Sequence, residues 1–294
     1  MKKSYAIVGC GRVGTALARY LAGAGYKPAG FASRSLSSAR RAATAAGAKV
    51  PVSVEPWDVT PKADIVLITT PDGVIRETAE KIAEYEGFAK GAVVLHCSGA
   101  LPSTRLSAAE NGGAHTGSLH PLQSFAAEDI EKNPFAGIMM AVEGQGDAVK
   151  TAWQMAENLG ASPFEIQTDK KMLYHASAVV ASNYLVTLMH LAFQLIIASG
   201  VPASKSYTIL KPLVQGTLSN VENNGIPRAL TGPIARGDAQ TVQHHIAEIG
   251  EKVPTCLDLY RQMGRHTIEI ALAKGDLSEE TAAELRQMLG GTAS

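Results

Sequence analysis

The sequence predicts an α/β fold, a doubly wound sheet domain followed by an all-helical C-terminal domain. Three observations carry this. Up to about residue 166, short apolar runs without polar alternation are separated by Ala-rich helical stretches, the pattern of parallel strands covered on both faces. A Gly9-x-Gly11-x-x-Gly14 turn stands directly between the first strand and the first helix. Beyond Asp169 no strand pattern returns, and helical periodicity runs on to the end. The expected domains are 1–167, an N-terminal doubly wound α/β unit, and 168–294, an all-helical unit.

The elements follow in order. Strand-like runs fall at 5–8, 26–32, 63–70 and 92–96, with further candidates at 115–119, 137–142 and 163–166. The helical stretches between them lie at 13–24, 37–46, 73–86 and 148–159. The second half predicts one long helix over 170–199, then helices over 203–222, 239–251, 255–274 and 278–289. Asp238 and Ser278 are suitable N-caps, and Pro254 suits a helix start.

Composition narrows the partners. Lys plus Arg is 27 and Asp plus Glu is 27; a chain without a basic surplus is poorly built for nucleic acid or an anionic membrane. Cys10, Cys97 and Cys256 form no C-x-x-C pair, which fits a reducing cytoplasm rather than a disulfide framework or a zinc module. The apolar run after Lys2-Lys3 breaks at Gly9–Arg12, too early for a signal peptide. The most apolar span, 176–199, contains Ser182, Asn183, His190 and Gln194, and it reads as a buried helix of a soluble domain rather than a membrane span. The expected partner is a small molecule.

The glycine motif supplies chemistry. Gly9 permits the tight turn, Gly11 lets a pyrophosphate approach the backbone, and Gly14 lets the helix pack on the sheet. The turn through Gly9, Cys10, Gly11, Arg12, Val13 and Gly14 is the expected phosphate cradle, helped by the free N–H groups and dipole of the helix start. Dinucleotide sites for NAD place Asp or Glu at the end of the second strand, but residues 26–54 contain no acidic side chain. Ser33 and Arg34 stand there instead, with Arg40 and Arg41 following; a hydroxyl and a guanidinium suit a 2′-phosphate. NADP(H) is therefore the expected cofactor. Thr69-Thr70-Pro71-Asp72 and His96-Cys97-Ser98-Gly99-Ala100 lie at two further strand ends, where Thr70, Pro71, Ser98 and Gly99 would line the cofactor cleft.

With these segments in view, the chain resembles the Rossmann oxidoreductase superfamily with helical C-terminal domains. That group includes the 6-phosphogluconate and β-hydroxyacid dehydrogenases, pyrroline-5-carboxylate reductase, ketopantoate reductase and prephenate dehydrogenase. Three strings are similar to one branch in particular: Gly117-Ser-Leu-His-Pro-Leu-Gln-Ser-Phe125, Tyr174-His175-Ala176 with Ser182-Asn183-Tyr184, and Leu230-Thr-Gly-Pro-Ile-Ala-Arg-Gly-Asp238. That branch pairs a Rossmann-like NADP-binding domain with a helical domain of unknown function. The resemblance covers nearly the whole chain; it implies fold and cofactor, and dimerisation through the helical domain.

Candidate catalytic residues come from the strand ends and the long helix. His120, followed by Pro121, sits at a strand end, as the His-Pro motif does in the prephenate dehydrogenases. At about 100° per residue Lys171 and Ser182 differ by about 20° in azimuth, and His175 lies within about 40° of both. Asn183 is at the margin of that face. Related dehydrogenases carry Lys and Asn on the corresponding helix; here Asn183 suits the orienting role, but Lys171 departs from the K-x-x-x-N spacing. His175, with an ordinary pKa of about 6.5, is the better-placed proton donor. Arg236, in the Gly232–Asp238 loop, is a candidate carboxylate clamp. His244 and His245 are adjacent and diverge on a helix, so no metal site is expected. The expected activity is NADP(H)-dependent hydride transfer to or from a small carboxylated carbonyl or imine compound. A prephenate-like oxidative decarboxylase and a non-catalytic NADP-binding redox sensor are the alternatives.

Overall fold

The computed structural model describes residues 3–125 and 132–290. Its contacts divide the chain into two compact units, Met1–Ala181 and Ser182–Ser294. The division falls later than the expected 167/168 junction, because the first turns of the long helix are bonded to the sheet of the first unit.

The first unit runs β1 (Ser4–Val8), α1 (Arg12–Gly23), β2 (Lys27–Ala32), α2 (Leu36–Ala45), β3 (Val52–Ser53), β4 (Ile65–Ile68), α3 (Asp72–Glu84), β5 (Val93–His96), α4 (Ser107–Asn111), β6 (His115–Pro121), β7 (Met139–Gly144), α5 (Gly146–Asn158), β8 (Ser162–Glu165) and α6 (Lys171–Val179). These strands make one sheet in the order β3-β2-β1-β4-β5-β6-β7-β8. Its first six positions follow the Rossmann arrangement. Alternate side chains feed the two faces. Tyr5, Ile7, Ile65 and Leu67 pack with α1, α2 and α5, whereas Ala6, Val8, Val66 and Ile68 pack with α3 and α4. Because both faces are covered, the strands carry no polar alternation.

Register positions the site. Val8 pairs with Ala32 and Ile68, Ile68 with His96, and His96 with Ser118. The chain therefore leaves β1, β2, β4 and β5 along one line at the carboxyl edge. The sheet is not parallel throughout: β7 runs antiparallel to β6. That reversal sets Glu143, near the end of β7, directly opposite Ser118.

The second unit contains α7 (Leu185–Ala198), α8 (Ala203–Asn224), α9 (Ile226–Ala229), α10 (Ala239–Lys252), α11 (Leu257–Lys274) and α12 (Glu279–Met288). Asp238 and Ser278 cap α10 and α12 by accepting from the Thr241 and Thr281 backbone N–H groups, as expected. Val242, Ile268, Ala271, Ala282, Leu285 and Leu289 form its core. Two expectations are corrected. The long helix is not uniformly α, since Val180–Tyr184 forms a π-helical turn. Nor is its second half buried: α7 has no buried residue, and Leu185, Val186 and Ile197 are exposed. By length and composition alone, the stretch Thr168–Ala198 is one helix long and apolar enough to cross a membrane.

Candidate functional site

The glycine turn adopts the geometry its sequence requires. Gly9 has φ +100°, and a side chain there would strike the backbone of Thr69 and Thr70 at 2.7–2.9 Å. A methyl group on Gly14 would collide with the Gly9 carbonyl and the Thr69 hydroxyl. Beside Gly11 there is open space. Gly11 caps α1 without a side-chain hydrogen bond, so the first N–H groups of the helix point outward. Thr69 Oγ1 donates to the Gly9 carbonyl, tying β4 to the turn. Cys10 is buried, its thiol on the Ala32 carbonyl at 3.5 Å, so its backbone alone faces the cradle. Arg12 Nη1 donates to the Phe125 carbonyl at 3.3 Å. Val13 is half-buried.

At the next strand ends, Ser33 is half-buried and Arg34 exposed. Thr70 Oγ1 is buried and has no hydrogen-bond partner among the described residues. Pro71 precedes α3 as its N-cap residue. Ser98 holds its own turn: its hydroxyl donates to Asp72 Oδ2 at 2.8 Å and accepts from the Ala100 and Leu101 N–H groups at 3.2 and 3.0 Å. The open cradle at Gly11 and the unpartnered Thr70 hydroxyl fit a dinucleotide lying along this edge.

One residue past that edge, two imidazoles converge on Gly99. A Cβ on Gly99 would lie 2.7 Å from His120 Cε1 and Nε2, and 2.9 Å from His175 Nδ1. His120 Nδ1 shares a hydrogen bond of 2.7 Å with the Tyr174 hydroxyl, and the two rings meet edge-on. Burial, the Lys171 ammonium and His175 together push His120 down to about 4. Burial pushes the Tyr174 phenol up to about 12. Both groups are therefore neutral near pH 7. Their shared bond has two neutral forms. Either the phenol donates to Nδ1 and leaves Nε2–H toward Gly99, or Nδ1–H donates and frees the phenol proton. His175 Nδ1 is buried and has no hydrogen-bond partner among the described residues.

Lys171 is the first residue of α6 and is buried. It is 1% exposed, and its ammonium is committed to Glu143 Oε1 at 3.0 Å and to the Ser118 hydroxyl. Glu143 also accepts from the Ser103 N–H at 2.9 Å and the Ser103 hydroxyl at 2.8 Å. Burial pushes the Glu143 carboxyl up, but Lys171 and the hydrogen bonds from Ser118, Ser103 and Lys171 outweigh it and hold it below the ordinary carboxylate range. Burial also brings the Lys171 ammonium down, against the pull of Glu143.

The remaining predicted residues belong to the second unit. Ser182 and Asn183 lie exposed in the π turn. A π turn takes one more residue than an α turn, so a count at about 100° per residue does not run unchanged through Ser182 and Asn183. Arg236 is exposed, between the φ +69° turn at Gly237 and the start of the loop. His244 and His245 form no metal cluster, and none is found among the described residues. Tyr174 and Glu143 were not among the expected site residues. A lone carboxylate ending the apolar strand MMAVEG, and a tyrosine three residues after Lys171, are the signals that point to them.

The edge geometry defines a Rossmann-like protein with a helical second unit. Residues 1–121 match the Rossmann-like domain, and residues 138–267 match the domain of unknown function DUF2520. The chain thus joins a Rossmann-like domain to a DUF2520 domain. No functionally curated protein matches it in sequence. Among solved structures it is similar to protein TM1727 from Thermotoga maritima, at 26% identity and TM-score 0.72, covering 92% of this chain and 99% of that one. It is also similar to a candidate NADP oxidoreductase, BF3122 from Bacteroides fragilis, at 23% identity and TM-score 0.72, with 91% and 98% covered. An imine reductase from Myxococcus stipitatus in complex with NADP+ shares the fold at 14% identity and TM-score 0.64, with 97% and 99% covered.

Proposed function

We propose that the chain is an NADP(H)-dependent oxidoreductase that transfers hydride between the nicotinamide and a small carboxylated carbonyl or imine compound. The observation that carries this reading is the convergence of His120, backed by Tyr174, and His175 on Gly99. That point lies one turn from a dinucleotide cradle on the same sheet edge. The bound nicotinamide supplies or accepts the hydride. The chain's own groups bind, orient and move a proton. In either neutral form the pair leaves one free donor, His120 Nε2–H or the Tyr174 O–H, suited to protonating an oxygen or nitrogen as it gains charge. His175 completes the donor set. From the helical unit, Ser182 and Asn183 are the proposed orienting groups and Arg236 the carboxylate ligand.

Support for a nicotinamide cofactor also comes from relatives of the same fold, among them the imine reductase crystallised with NADP+ and a variant with NAD+. The preference for NADP(H) rests on Ser33, Arg34 and the missing carboxylate over residues 26–54. Localisation in the cytoplasm fits the unpaired cysteines. A homodimer through the helical unit fits the exposure of Leu185, Val186, Leu213 and Leu218 on α7 and α8. The test of the cofactor assignment is a fluorescence titration with NADPH and NADH. NADPH is expected to bind at least about tenfold tighter, the discrimination of one charge-assisted contact, and Arg34→Glu is expected to erase the difference. Equal affinities in the unmodified protein contradict the assignment.

A further inference from the structure

We propose that the buried Glu143–Lys171 pair is a positioning device, locking the first turn of α6 onto β6 and β7 so that Tyr174 and His175 meet His120 over Gly99. The inference rests on the reading of His120 and Tyr174 as the proton-delivering pair.

The pair is an expensive feature. Removing two ions from water costs several kcal/mol each, and apolar residues of similar volume often replace such a pair without loss of stability. Here the whole cost is met by geometry: both Glu143 oxygens and the Lys171 ammonium are bonded, through Ser103 and Ser118, at 5% exposure or less. Four separate segments are thereby tied at one point. They are the 3-10 turn Ser103–Leu106, β6, β7 and α6.

The spacing explains what the tie achieves. On β6, Ser118 and His120 are two residues apart, so they share a face and stand about 6.6 Å from one another. On α6, Tyr174 and His175 follow Lys171 by three and four residues, one turn or about 5.4 Å further along. The two rises nearly match. Once Lys171 is seated on Ser118, Tyr174 and His175 fall beside His120, as the 2.7 Å bond and the 6.5 Å separation of the two imidazoles record. An unanchored helix start would be free to rotate, and a misplacement of about 1 Å costs on the order of a hundredfold in rate.

The ammonium has a second effect on the same imidazole. The ionisable groups around His120 are Lys171, Tyr174 and His175 from α6, His96 from β5 and Glu143 from β7. After burial, Lys171 is the largest influence lowering His120, followed by His175. The lock therefore also helps to keep the imidazole neutral.

The test is the apolar pair Glu143→Leu/Lys171→Met, which leaves no lone buried charge. It is expected to fold, with kcat down at least thirtyfold and the KM for NADPH within twofold. In ¹⁵N-histidine NMR, the His120 resonance, identified by its loss in His120→Asn, is expected to titrate at a higher pH than in the unmodified protein. The acid limb of the kcat profile should move with it, and the single variant Lys171→Arg, which keeps both charges, should leave both close to the unmodified protein. A folded double variant with an unmoved His120 midpoint and near-normal kcat overturns the proposal. If the double variant does not fold, Ser118→Ala, which keeps both charges, is read in its place. It is expected to shift the His120 and His175 resonances and cut kcat at least fivefold, and unshifted resonances overturn the proposal. Because the NMR readout needs no turnover, a protein that reduces nothing yet shows the shift separates failure of the proposed activity from failure of the lock.

Discussion

Gly99 is where the smallest side chain does the most. The two imidazole nitrogens approach it so closely that any Cβ must displace one of them, and the turn around it is already fixed by Ser98 and Asp72. Gly99→Ala should therefore cut kcat by on the order of a hundredfold through misplacement of His120 and His175, with NADPH affinity changed less than threefold. Steady-state kinetics beside a binding titration checks this; a variant with normal kcat removes the site from Gly99. Tyr174→Phe probes the same cluster from the other side. It deletes the proton shared with His120 Nδ1 while preserving ring packing against Phe164, so a loss of kcat without loss of folding is expected.

At the scale of elements, the sequence makes the strand–helix alternation legible because each strand is buried on both faces and so reads as an unbroken apolar run. The glycine turn is legible because φ +100° at Gly9 and the crowding at Gly14 admit nothing larger. The reversal of β7, the two-residue β3 and the π turn at Val180–Tyr184 are not: each is decided by partners far away in sequence or by a one-residue change in helical register. The same holds for the site. His120 and His175 could be nominated singly, but Glu143 gains meaning only once antiparallel pairing sets it opposite Ser118, and Lys171 only once Glu143 is known to be there.

The strand ends also carry a pH prediction. Burial first, then Lys171, lowers His96 to about 3, and the same two causes lower His120 to about 4. For a histidine depressed on folding, the unfolded chain binds protons first as pH falls below about 6.5. Stability is thus fully present above that value and is lost as pH falls toward the folded values. Between pH 6.5 and 5 each histidine should cost about 2 kcal/mol. Urea unfolding at pH 7 and pH 5 measures the drop, and His120→Asn should shrink it by about that amount. An equal drop in variant and parent contradicts a neutral, buried His120.

For the whole molecule, two units that pack their apolar residues differently account for the apolar composition. The sheet unit spends its apolar residues on two covered faces, while α7 and α8 leave theirs largely exposed. A second copy laid on those helices is the occupant proposed above, and light scattering is expected to give twice the 30.8 kDa chain mass. A monomer at micromolar concentration contradicts that assembly. Hydride transfer beside His120 is tested by following the hydride itself. NADPH deuterated at the nicotinamide C4, in each stereochemistry, is incubated with a panel of small oxo acids and cyclic imino acids, and the products are weighed by mass spectrometry. Deuterium is expected at the reduced carbon of at least one substrate from one C4 face only, with transfer slowed in Gly99→Ala and Tyr174→Phe. Tight NADPH binding with no deuterium transferred to any member of the panel contradicts it and marks the chain as a nucleotide-sensing module.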